Sequence, residues 1–214
     1  MRKIDKSKIL STAYKKWVDQ LDKDNIKHPQ SREPYYYDVV MNLLHCQKGV
    51  CAYTEMFLCN SGLLTEDKWI DGHYIIKKPE RFGHLEHFNP DLKKDKFYQW
   101  DNLFVISADI NVLKGEQKVD AVFKPDSPQY DPMKFLEYDI ETHFFIPHTG
   151  IKDPALRERI DRMIDILQIN HATVYTERES FLKCVFGHLE MNRPFKVYKF
   201  FTACRMAGVP VEDI

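Results

Sequence analysis

Residues 83–115 read GHLEHFNPDLKKDKFYQWDNLFVISADINVLKG, and the order of elements in this stretch decides the fold. His84-Leu85-Glu86-His87-Phe88 alternates polar and apolar side chains, the pattern of a short half-buried strand, and Asn89-Pro90 stops it. A charged loop, Asp91 to Lys96, follows. Leu103-Phe104-Val105-Ile106 is apolar, rich in β-favouring residues and about one strand long. Ser107 is placed to cap a short helix through Asn111 and Lys114, and Gly115 to end it. The expected order is strand, loop, strand, helix.

Within that order the polar residues form a set that suits metal-assisted cleavage of a phosphodiester. Glu86 offers a hard oxygen ligand, and Asn111 on the helix offers an amide oxygen to the same divalent cation, with Mg²⁺ or Mn²⁺ the natural choice. His87 is the natural general base, because imidazole titrates near pH ~6.5 and is largely neutral at working pH. Asn102, just before the second strand, can bond backbone or imidazole and hold His87 in one orientation. A cation beside the scissile phosphate would stabilise charge on the leaving oxygen.

At these residues the chain resembles the HNH nucleases, the ββα-metal class. The matching elements are Glu86-His87-Phe88 with Pro90, then Trp100-Asp101-Asn102-Leu103, then Asn111 followed by Lys114. The resemblance implies that the acid before the histidine binds metal, the histidine is the base, the middle asparagine orients it, and Asn111 is the second ligand. Asparagine stands where many members have histidine, and Glu86 where many have aspartate. Outside the motif the chain is similar to the HNH subunit of the Septu anti-phage system and its retron-associated relatives. Lys48 to Glu55 (KGVCAYTE) resembles that group's Cys-Ala-Tyr-Cys-Glu, and Ile166 to Asn170 with Glu177-Arg178-Glu179 resembles its helical tail. This likeness implies a role in prokaryotic defence and a partner, an ATPase of the ABC or SMC-like type, that controls the nuclease.

Members of that group often carry four cysteines for a structural zinc. Here Thr54, Ser107 and Ile110 stand at three of those places and only Cys51 survives. One thiolate does not make a tetrahedral site, so no structural zinc is expected. Cys46, Cys51 and Cys59 have no strong zinc spacing either.

The whole chain has 214 residues, 43% hydrophobic and 13% aromatic, enough to bury a sizeable core. Five cysteines without a disulfide framework suit a reducing cytoplasm, and no apolar run approaches the ~20 residues of a membrane span. The expected class is α+β, a ββα-metal core embedded in N- and C-terminal helices: residues 1–48 helical, 49–124 the catalytic module, 125–214 mainly helical and packed on it as one globular unit. A net charge of −1 is unusual for a protein that grips nucleic acid alone, since lysine and arginine supply most non-specific affinity. A partner that presents the substrate would resolve this.

Lys93, Lys94, Lys96 and Lys114 are candidate contacts for substrate phosphates. The N-terminal lysines, including Lys6 and Lys8, read as solvated surface. Candidate supports behind the metal ligands are His84, two residues before Glu86, and Arg178, a guanidinium on an apolar helix face that requires a partner. Ser7 is expected to cap a first helix, Pro34 to open a second, Trp69 to Ile76 with a turn at Asp71-Gly72 to form a hairpin or an insertion before the motif, and Asp153-Pro154 to start a helix. A further helix is expected over about Ala172 to Leu189. The competing reading is a degenerate HNH fold that keeps only a scaffold or partner-binding role.

Overall fold

The computed structural model describes residues 1–30, 35–77, 79, 81 and 83–211. The architecture is α+β, with seven α-helices and three two-stranded antiparallel sheets among the described residues. None of these helices is long and apolar enough to cross a membrane. The chain forms two compact units. The motif unit is Ile4–Ala52 with Leu58–Lys118, and the C-terminal unit is Val119–Ile214 with Met1–Lys3 and Tyr53–Phe57.

In the motif unit the first helix, α1, is Thr12–Lys23 and follows Ser11, four residues later than Ser7. The segment before it stays out of the helix because its polar groups are used elsewhere. The Ser7 N–H bonds Asp5 Oδ1 (2.8 Å), and the Leu10 and Ser11 N–H groups both bond Asn42 Oδ1 (2.8 and 3.1 Å). Asn42 belongs to α2, Tyr36–Cys46, whose buried stripe includes Val39, Val40, Leu43 and Leu44. Pro34 lies outside the described residues. After α2 the chain turns through Lys48 and Gly49, both with positive φ. A Cβ at Gly49 would sit 2.3 Å from the Cys59 carbonyl oxygen, so only glycine fits there.

The hairpin forms as its turn residues require: β1, Trp69–Ile70, pairs with β2, His73–Tyr74, across Asp71 and Gly72, both at positive φ. Buried Asp38 ties it down, accepting from the Tyr74 N–H (3.0 Å) and Ser11 Oγ (3.2 Å) and meeting His73 Nδ1 (2.9 Å). His73 is thus engaged well away from the motif in sequence.

Then β3, Gly83–His87, pairs antiparallel with β4, Leu103–Ser107, in a register that sets Glu86 against Phe104 and His87 against Leu103. Four consecutive residues of β4, Leu103 to Ile106, are buried. Its second edge is not left open. The Gln47 side-chain amide takes the place of a strand there, donating to Val105 O (2.7 Å) and accepting from Val105 N (2.8 Å). Helix α3, Ala108–Lys114, follows without a break. Ser107 precedes it with extended backbone but makes no side-chain cap bond, and Gly115 ends it at φ 54°.

The C-terminal unit has a short helix α4, Pro132–Phe135, and a ribbon of β5, Leu136–Asp139, with β6, Phe144–Pro147. Helix α5, Pro154–Ile166, starts as its sequence requires, with Asp153 Oδ1 accepting from the Ala155 N–H (3.0 Å). Helix α6, Ala172–Glu190, buries Val174, Arg178, Phe181, Leu182 and Val185, and α7, Phe201–Met206, follows.

Candidate active site

Alternation along β3 puts His84 and Glu86 on one side and His87 on the other, at the strand end where the chain turns away. His87 is buried and tightly placed. Its Nε2 lies 2.8 Å from the Phe97 carbonyl oxygen. A carbonyl only accepts, so Nε2 carries the proton and Nδ1 the lone pair. The imidazole also packs on the Phe97 ring, centroids 4.6 Å apart. Burial holds its pKa below the ordinary histidine value, opposed by the Phe97 bond and aided by the charges of Lys93 and Lys114. The ring is therefore kept neutral, a base with one free nitrogen.

Among the described residues Asn102 makes no hydrogen bond to the imidazole. Its Oδ1 accepts from the Asn89 N–H (2.8 Å), its Nδ2 donates to the Asn89 carbonyl (2.9 Å), and its backbone carbonyl accepts from the Phe88 N–H (2.9 Å). It clamps the two residues that follow His87 and so fixes the strand end that carries the ring.

Phe97 was not marked out by the sequence, because its role runs through a carbonyl that every residue type has. Lys6 is not the solvated surface residue that the sequence suggests. It is buried, and its ammonium donates to the carbonyls of Trp100 (2.9 Å), Asp101 (3.2 Å) and Leu103 (3.1 Å) and lies over the Phe104 ring. It collects the carbonyl groups around the turn Trp100–Asn102, which delivers Asn102. A basic residue whose destination is the backbone carbonyls of residues some ninety-five positions away leaves no local signature.

Glu86 is buried, and the Lys114 ammonium stands 2.6 Å from its Oε1. Burial raises the Glu86 pKa, and the nearby Lys114 charge works against that rise. Lys114, expected at substrate phosphates, is fully buried in this pair. Asn111, one helical turn before it, is half-buried and makes no side-chain hydrogen bond among the described residues. Spacing of three puts both on one face of α3. A carboxylate and an amide oxygen suit a hard divalent cation that keeps several waters. Among the described residues no three or more His, Cys, Asp or Glu gather as a metal site, so such an ion would rest on these two side chains, water and substrate. The residues fit this role to that extent: positive charge is accepted beside Glu86, where an ammonium already stands.

The loop lysines separate. Lys93 is exposed, without a salt bridge among the described residues, and its charge is felt by both Glu86 and His87. Lys94 is exposed. Lys96 is paired with Asp22. His84 is exposed beside Glu86.

Arg178 lies in the C-terminal unit and is fully buried. No carboxylate hydrogen-bonds to it among the described residues, although the Glu55 charge acts on it; its guanidinium donates to His143 O (2.6 and 3.1 Å), Ile169 O (3.0 Å) and Asn170 Oδ1 (3.2 Å). Burial lowers its pKa to about 10. Its donors join the β5–β6 turn to the start of α6, which is a structural role. All five cysteines are free thiols, and burial pushes Cys46 and Cys59 up to about 11.

Comparison of the chain with protein-family models and with curated proteins finds no match, which leaves the family likeness resting on the residues quoted above.

Proposed function

We propose that this chain is a metal-dependent HNH endonuclease that hydrolyses nucleic-acid phosphodiester bonds, acting in prokaryotic anti-phage defence under the control of a partner ATPase. The observation that carries the reading is His87: a buried neutral imidazole with Nε2–H committed to the Phe97 carbonyl and Nδ1 without a partner among the described residues, at the end of a strand next to Glu86. Nδ1 takes a proton from the attacking water. Asn102 and Phe97 hold the ring still while it does so, and fixed geometry lowers the barrier because orientation need not be found during reaction. Lys93, exposed and electrostatically close to both groups, meets a substrate phosphate. A divalent cation, Mg²⁺ or Mn²⁺, held by Glu86 and Asn111 would neutralise charge on the phosphate and the leaving oxygen.

The defence role and the ATPase come from the likeness to the Septu group. A net charge of −1 agrees with a substrate presented by a partner rather than gripped by this chain alone. A cytoplasmic setting belongs with that partner and that substrate.

One observation favours the second reading, a catalytically silent HNH-type scaffold: Lys114 already neutralises Glu86. The experiment that separates the two is incubation of plasmid DNA, single-stranded DNA and transfer RNA with the purified chain and Mg²⁺ or Mn²⁺, with and without the ATPase. Cleavage of any of the three supports the nuclease and names its substrate class. No cleavage of any, with the ATPase present, selects the scaffold.

A further inference from the structure

Lys114 is the charged residue of the site that the mechanism leaves idle. Its ammonium and Glu86 Oε1 are 2.6 Å apart, both atoms are buried, and neither has a hydrogen-bond partner elsewhere among the described residues. Lys114 is the main charge that offsets the buried Glu86 carboxylate, with smaller help from the His87 backbone and the more distant Lys93 charge. Buried pairs of this kind carry a large desolvation cost and are poor sources of net stability, while loss of one partner strands the other. Lys114 also shares the α3 face of Asn111, so its ammonium is bonded to one proposed metal ligand and its helix face carries the other.

We propose that Lys114 is an internal cation that competes with the divalent metal for Glu86, so that the site rests in a metal-poor state and loads only when the ammonium leaves the carboxylate. This rests on the metal-dependent reading above. Two cations on one buried carboxylate repel strongly where water does not screen them, so metal entry requires the ammonium to move. The anatomy allows that movement. Lys114 is the last residue of α3, next to Gly115 at positive φ, and its four-carbon stem is flexible. A plain structural staple would hold α3 to β3 and have no bearing on metal affinity.

The test is Mn²⁺ binding to the full chain, read by the paramagnetic resonance of free Mn²⁺, for the wild type, Lys114→Met and Glu86→Gln/Lys114→Met. Lys114→Gln accompanies them because its neutral amide still donates to Glu86 and protects folding. Competition predicts that the single variants bind Mn²⁺ about tenfold tighter or more than wild type. It also predicts that Mn²⁺ raises their Tm more than that of wild type, and that the double variant loses the site. Binding by the single variants that equals or falls below wild type overturns the competition and leaves the metal-dependent reading standing. Absence of Mn²⁺ binding from wild type and single variants alike overturns both.

Discussion

Asn102 and Phe97 show how His87, the proposed general base, is held by groups that are not themselves reactive. The two side-chain hydrogen bonds of Asn102 meet both backbone groups of Asn89, and loss of them strands polar groups that are partly out of water. Asn102→Ala is expected to cost about 2–3 kcal/mol, since each such bond contributes ~1 kcal/mol and unsatisfied groups add more. Urea unfolding measures it, and a cost below about 0.5 kcal/mol, the level of an ordinary surface change, would show that the clamp is idle. His87, Glu86, Asn102 and Asn111 stand out in the sequence by type and order as candidates. The sequence names Asn102 as the group that orients the imidazole; Asn102 bonds the neighbouring backbone instead, and the direct bond comes from the Phe97 carbonyl, which has no side-chain identity to read. Lys114 was legible as a charge but not as a buried one, because burial depends on α3 lying against β3.

At the level of elements, β3, β4 and α3 were legible because each carries a local signal: alternation in one strand, a continuous β-branched and aromatic run in the other, Ser and Gly at the helix ends. The β1–β2 hairpin, α5 and α6 followed equally from Asp71-Gly72, Asp153-Pro154 and the apolar face of α6. What failed was the start of α1. Ser7 has the right type for a cap, but Asp5 and Asn42 take the backbone donors around it. Lys6 failed for the same reason, as its partners are 94 to 97 residues away. Its three carbonyl contacts make a prediction: Lys6→Met destabilises the chain by roughly 2–4 kcal/mol, because hydrogen bonds to a charged group are each worth ~1.5–3 kcal/mol and the methionine stem recovers some packing. Equal urea midpoints for Lys6→Met and wild type would mean that the ammonium is not the clamp.

Across the whole molecule the C-terminal unit is built around two buried charges, Arg178 and Glu55. Glu55 is held by the Met1 ammonium (3.3 Å) and by the backbone and hydroxyl of Thr202. Burial pushes its pKa up, but these partners outweigh burial and leave it below the ordinary 4.5. A carboxylate lowered on folding contributes stability that is complete above the unfolded value and is lost as pH falls through the folded one. Glu55→Gln is therefore expected to lose about 3 kcal/mol at neutral pH, with the gap to wild type closing as pH is taken from about 7 to about 3. Urea midpoints across that range check it, and a gap that does not change with pH would contradict it. The proposed chemistry lies in the motif unit and turns on one side chain, His87. The most direct test is the cleavage rate of His87→Ala against wild type, with Mg²⁺ and the partner ATPase, on whichever nucleic acid the wild type cuts. Loss of about 10²–10⁴-fold, the contribution of a positioned general base, is the predicted result. Equal rates would contradict the assignment of the chemistry to this site.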